Sequence, residues 1–68
     1  MRLEYDEEID AAYIYIVYPI NEGEVKNTIE LNDNIILDFD KEGRLLGMEI
    51  LNASKIVSEK VLVEAKQH

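Results

Sequence analysis

The sequence predicts an α+β fold: a small antiparallel β-meander of about five short strands with a C-terminal helix packed on one sheet face. Three observations carry that prediction. Residues 12–18 are almost wholly β-branched and aromatic; residues 28–51 alternate apolar and polar at period two around glycine and Asx turns; and the period switches to a helical one after Asn52. Sixty-eight residues form a single domain spanning 1–68, because one hydrophobic core rarely divides below about 100 residues. A domain this short is marginal alone, and with no cysteine it has no disulfide to staple it.

Each element follows from its local pattern. Arg2-Leu3-Glu4-Tyr5 alternates and pairs as a hairpin with the next strand through the acidic turn Asp6–Asp10. Ala12-Tyr13-Ile14-Tyr15-Ile16-Val17-Tyr18, stopped by Pro19, is apolar on both faces, which marks a central strand covered on both sides. Thr28-Ile29-Glu30-Leu31 is a strand with Ile29 and Leu31 inward. Asn32-Asp33-Asn34 is a turn, and Ile35–Phe39 returns with Ile35, Leu37 and Phe39 on one face. Asp40-Lys41-Glu42-Gly43 makes a hairpin turn in which Gly43 supplies positive φ, and Leu45–Leu51 follows. Gly47, in mid-strand, marks a bulge or a close backbone approach. From a plausible N-cap at Asn52, residues Ala53, Ile56, Val57 and Val61 recur at helical spacing. Ser58 is an alternative cap for a second turn, and Val61-Leu62-Val63 alone also fits a short strand.

Charge excludes several functions. Fifteen Asp and Glu against seven Lys and Arg give a net charge of −8, a field that opposes nucleic acid and anionic membrane surfaces and suits a basic partner or a cation. The imbalance lies in residues 1–51, with 13 acids against 4 bases; residues 52–68 carry 2 against 3. The longest apolar run, Ala11–Ile20, is about half the ~20 residues of a membrane span, and Met1–Asp6 holds no apolar leader segment. The expectation is a cytoplasmic protein with no membrane association.

Two stretches also resemble a known family. Tyr5-Asp6-Glu7-Glu8-Ile9-Asp10-Ala11-Ala12-Tyr13-Ile14 is similar to the opening of the prokaryotic domain-of-unknown-function family 2283: a tyrosine–aspartate pair, then an aspartate–alanine pair leading into a tyrosine-bearing strand. Ile36-Leu37-Asp38-Phe39-Asp40, Gly43, Gly47, Glu49-Ile50-Leu51 and Ala53-Ser54 resemble its second signature. The resemblance covers roughly residues 1–57 and departs at Met48, where isoleucine or valine is more usual, and at Asn52, where aspartate is. It implies the fold above and no activity. Members that sit beside toxin-like partners make an antitoxin-type role its one functional implication.

Three constellations carry candidate chemistry. Asp38, Asp40, Glu42, Gly43 and Glu49 fall at positions 1, 3, 5, 6 and 12 of a calcium-loop pattern, yet the preceding residues alternate as a strand, so an acidic hairpin explains them better. Asp6, Glu8 and Asp10 are spaced to grip a hard cation or, more simply, to cap turn amides. No nucleophile–base pair or cofactor motif is visible, since the one imidazole is the terminal His68 and Ser54 and Ser58 have no partner base. The expectation is therefore a non-enzyme without cofactor. Tyr13 and Tyr15 share one strand face, with Tyr5 near them across the hairpin, and Glu49 points towards the same face. The tyrosines read either as ordinary sheet packing or, with Glu49, as an interaction surface; Glu49 either serves a partner or cation or, the favoured alternative, is structural and accepts a hydrogen bond from a tyrosine hydroxyl. The leading expectation is a binding module that forms a homodimer or binds a small basic protein; the alternative is a divalent-cation protein using Asp6, Glu8 and Asp10 or Asp38, Asp40 and Glu49.

Overall fold

The computed structural model describes residues 1–67, which excludes His68. It contains strands β1 (Arg2–Asp6), β2 (Ala11–Tyr15), β3 (Asn27–Glu30), β4 (Ile35–Phe39) and β5 (Leu45–Leu51), then helices α1 (Ala53–Ile56) and α2 (Glu59–Val63), and a short strand β6 (Lys66–Gln67). The sheet order is β3-β4-β5-β2-β1-β6. A β1–β2 hairpin and a β3–β4–β5 meander therefore meet along β2 and β5, and all four of those pairings are antiparallel. The α+β class and the central place of the second strand are as the sequence predicts.

The register assigns the faces. Leu3, Tyr5, Ala12, Ile14, Met48 and Ile50 lie beneath the helices, where Ala12, Ile50, Ala53 and Leu62 form the buried cluster with Leu3, Tyr5, Ile14, Met48 and Val57 packed round it. Among the described residues the core is small: Ala12, Leu46, Ile50, Ala53 and Leu62 are the buried hydrophobic side chains. β3 is an edge strand that contributes nothing to this cluster, and Ile29 and Leu31, expected inward, stay 52% and 62% exposed.

Four details depart from the sequence-based expectation. The second strand ends at Tyr15, not Tyr18, because the amides of Ile16 and Val17 both donate to the Leu46 carbonyl (2.9 and 3.2 Å) at a register shift in β5, leaving Ile16, Val17 and Tyr18 exposed. The single C-terminal helix is two: Val57 is extended, and Ser58 holds the N-cap position of α2. Asn52 is left-handed (φ 55°) and gives α1 no side-chain cap; its amide donates to Asn34 Oδ1 instead (3.1 Å). The sixth strand, parallel to β1, is too short to show any period in the sequence. No helix among the described residues is long and apolar enough to cross a membrane.

Candidate functional site

Alternation along the strands sorts charge to one side of the sheet. Arg2, Glu4, Asp6, Glu30, Asp38 and Glu49 are the charged residues of the five antiparallel strands, and the register puts all six on the face opposite the helices. Tyr13, Tyr15, Ile36 and Leu51 share that face with them. The result is an open surface of five carboxylates, one guanidinium, two tyrosines and aliphatic contacts.

Hydrogen bonds tie this surface together across strands. Tyr13 Oη donates to Asp38 Oδ2 (2.6 Å) and Thr28 Oγ1 donates to Asp38 Oδ1 (2.8 Å), linking β2, β4 and β3. To reach Asp38 the Tyr13 ring crosses β5 at Gly47, where a β-carbon would lie 2.5 Å from its Cε1 and 2.7 Å from its Cζ. Gly47 thus answers both halves of its prediction, sitting beside the register shift and under an aromatic ring. Tyr15 Oη donates to Glu4 Oε1 (3.2 Å), while Arg2 Nε donates to Glu4 Oε2 (2.9 Å). Glu4 is the one buried charged residue among the described residues, 8% exposed, and Tyr15 and Arg2 help offset its desolvation. The rings continue the chain of contacts: Tyr13 and Tyr15 are 4.7 Å apart and tilted, Tyr15 and Tyr18 are 5.0 Å apart edge-to-face, and the Arg2 guanidinium lies 4.4 Å above the Tyr18 ring. Burial and the Asp38 carboxylate push the Tyr13 phenol well above its ordinary pKa, and burial with the Glu4 charge raises that of Tyr15.

The sequence places Glu49 correctly and assigns it the wrong partner. Glu49 sits directly across from Tyr13, but the Tyr13 hydroxyl is turned away to Asp38. Among the described residues Glu49 makes no hydrogen bond or ion pair. Tyr5 is a second correction, since its register partner is Ala12 and it therefore lies on the helix face, away from Tyr13 and Tyr15. Arg2, Glu4 and Thr28 were absent from the candidate set, although period two in β1 and β3 puts them on this face.

The acidic turn residues serve the backbone instead of one another. Asp6 Oδ1 accepts the Glu8 amide (3.0 Å), and Glu8 is exposed. Asp10, left-handed at φ 53°, accepts the Tyr5 hydroxyl (2.7 Å), the Ser54 amide (3.0 Å) and the Ser54 hydroxyl (2.7 Å). It therefore caps α1 from the far end of the β1–β2 turn. Those donors, Tyr5 first, hold its carboxyl below the ordinary carboxylate range, which makes it a poor base for activating Ser54. Asp40 accepts the Arg44 and Glu42 amides and Arg44 Nε, and these donors, the Arg44 amide first, lower its pKa too; Arg44 also pairs with Glu42. The calcium-like spacing thus resolves into a β4–β5 hairpin, and no three carboxylates among the described residues gather as a metal site would require.

Comparison with known proteins supports the resemblance and adds no activity. The chain is 42% identical over 57 residues to an uncharacterised protein of Methanocaldococcus jannaschii, an alignment covering 82% of this chain and 44% of that protein. The chain thus spans less than half the length of that relative. No solved structure matches it. The profile of the family described as protein of unknown function (DUF2283) matches residues 2–54, most of the chain, and the chain therefore belongs to the DUF2283 family.

Proposed function

We propose that this chain is a non-catalytic, cytoplasmic binding module whose open sheet face docks a small basic protein partner. The observation that supports the reading is the segregation of charge. Five carboxylates and two tyrosines share one face, the helices cover the other, and Arg2 supplies the face's one cation among the five antiparallel strands. Acidic side chains interleaved with aromatic ones favour a cationic surface by field, by cation–π contact and by burial of tyrosine. An antitoxin-type role, in which a small acidic chain covers a basic protein, is one form of this reading.

The test is a nuclear magnetic resonance titration of the full chain with a lysine-rich peptide and with a glutamate-rich peptide of the same length. The expected result is amide shifts at Arg2, Asp6, Tyr13 and Glu49 with the basic peptide only, weakening as salt is raised. Equal responses to both peptides, or shifts confined to the helix face, would overturn it.

Self-association is a second reading, favoured by the β3 edge. The Leu31 amide bonds inward to the Ile35 carbonyl, so alternation turns the Thr28 and Glu30 amides outward beside the exposed Ile29. The net charge of −8 on each copy opposes it. Divalent-cation binding gains no support from where the structure puts Asp6, Glu8, Asp10, Asp38, Asp40 and Glu49.

A further inference from the structure

The open face holds a guanidinium at one end and a shallow depression at the other. At the first end Arg2 lies over the Tyr18 ring while its Nε donates to Glu4, so a tyrosine face and a carboxylate grip a planar cation between them. At the other end a shallow depression of about 240 Å³ is lined by Asp6, Ile9, Ala11, Ala12, Tyr13 and Glu49. It brings together residues of the same kinds: Tyr13, the carboxylates Asp6 and Glu49, and aliphatic surface from Ala11 and from Ile9, which is 71% exposed.

Glu49 gives the depression its charge. Because the Tyr13 hydroxyl is held by Asp38, no donor among the described residues neutralises Glu49, which lies directly across from Tyr13 and half-buried. Asp6 Oδ1 accepts the Glu8 amide, and its second carboxylate oxygen is not used by that bond. Two acids, a tyrosine and an exposed isoleucine match a long aliphatic stem ending in a delocalised cation.

We propose that the depression bounded by Asp6, Ile9, Tyr13 and Glu49 is a guanidinium site that takes an arginine side chain of a basic protein partner; the proposal rests on the binding-module reading and specifies its chemistry. Arginine is preferred over lysine on three grounds. Its flat fork can bridge two carboxylates, it stacks on tyrosine, and it loses less hydration on leaving water. A bare divalent cation is a worse match, because it needs about six oxygens and gains nothing from Tyr13 or Ile9.

The experiment titrates the full chain with three peptides identical except at one central position, which carries arginine, lysine or citrulline, and follows amide shifts at fixed salt. The arginine peptide should shift Asp6, Ile9, Ala11, Tyr13 and Glu49 and bind roughly 3- to 5-fold more tightly than the lysine peptide, with citrulline weaker than both. Glu49→Gln and Asp6→Asn should each weaken the arginine peptide by about 3-fold or more, while Glu22→Gln, on the distant loop, should not. Tyr13→Phe keeps the ring and should retain binding; Tyr13→Leu should lose the arginine preference. Equal affinities for arginine and lysine through the same amides would overturn the guanidinium site and leave the basic-partner reading standing. Shifts confined to other parts of the open face would overturn the site alone. The absence of any shift on the open face with either cationic peptide would overturn both.

Discussion

Gly47→Ala should be among the more damaging one-carbon changes this domain can receive. The new β-carbon would sit 2.5 Å from Tyr13 Cε1 and 2.7 Å from Cζ, about 1 Å inside ordinary carbon–carbon contact. Either β5 and the ring strain apart, an overpacking cost of about 1–3 kcal/mol, or the ring swings off β5. Swinging gives up the 2.6 Å bond to Asp38, worth about 1 kcal/mol at a part-exposed site, and the 4.7 Å contact with Tyr15, worth about 0.5–1.5 kcal/mol. Relieving glycine's excess chain entropy returns about 0.5–1 kcal/mol. The net loss is about 1.5 kcal/mol, or about 10 °C of melting temperature in a domain of this size. Urea unfolding followed by circular dichroism would measure it in a double-mutant cycle with Tyr13→Ala. With the ring removed, Gly47→Ala should become neutral or mildly stabilising, whereas in a Tyr13→Phe background it should still cost stability, but less than in the parent by about the 1 kcal/mol of the missing Asp38 bond. If the cost is the same with and without the ring, to within about 0.5 kcal/mol, the close approach of Tyr13 is not why glycine stands there.

Gly43→Ala tests a different cost. Gly43 has φ 80° and open space around it, so only the left-handed backbone, about 1–2 kcal/mol less the unfolded-state gain, opposes a β-carbon; it should lower the urea midpoint less than Gly47→Ala, and Gly43→Asn should restore most of the loss. The Asp10–Tyr5–Ser54 clasp should loosen at both ends of the pH range. The lowered Asp10 pKa contributes stability above the ordinary value of 3.8 that is lost as pH falls through the folded-state value, and the Tyr5 phenol, raised by the Asp10 hydrogen bond to about 12, contributes stability below 10 that is lost as pH rises through about 12. Urea midpoints against pH should show a shallower acid limb in Asp10→Asn and a shallower alkaline limb in Tyr5→Phe; unchanged limbs in both would refute the clasp. Ile29→Lys places a charge on the exposed β3 edge. If the chain dimerises through that edge, sedimentation velocity should show the variant reverting to monomer, and a dimer that survives the change would exclude β3 as its interface.

Much of the sheet was legible because strand faces follow parity. The alternation in Thr28–Leu31 and Leu45–Leu51 assigns sides without any knowledge of neighbours, and glycine in an Asp-Lys-Glu-Gly turn demands the positive φ it has. Parity does not give lateral order or register. Tyr5 was misplaced for that reason: chain proximity suggested Tyr13, whereas the hairpin register pairs it with Ala12 and turns it under the helices. The helix that became two failed on another ground. Val57 and Val61 keep a helical period across Ser58, but Val57 is extended and the chain restarts at Ser58, so period alone could not separate one helix from two.

The site was half legible for a related reason, which Asp10 and Glu49 show in opposite senses. Asp10 reads locally as a turn aspartate, and it does hold a left-handed turn position; its decisive partner, Ser54, is 44 residues away and carries no mark of the contact. Glu49 reads as a carboxylate facing a tyrosine, which the register bears out, yet the expected bond is absent because of a residue two positions earlier. Gly47 has no side chain to hold the Tyr13 ring upright beside Glu49, so the ring leans across β5 and its hydroxyl goes to Asp38. One glycine therefore both permits the bond that links β2 to β4 and leaves the neighbouring Glu49 without a donor among the described residues. Restoring a β-carbon at 47 should push the ring back towards Glu49, so the bond across the sheet and the charge in the depression are alternatives governed by the same position.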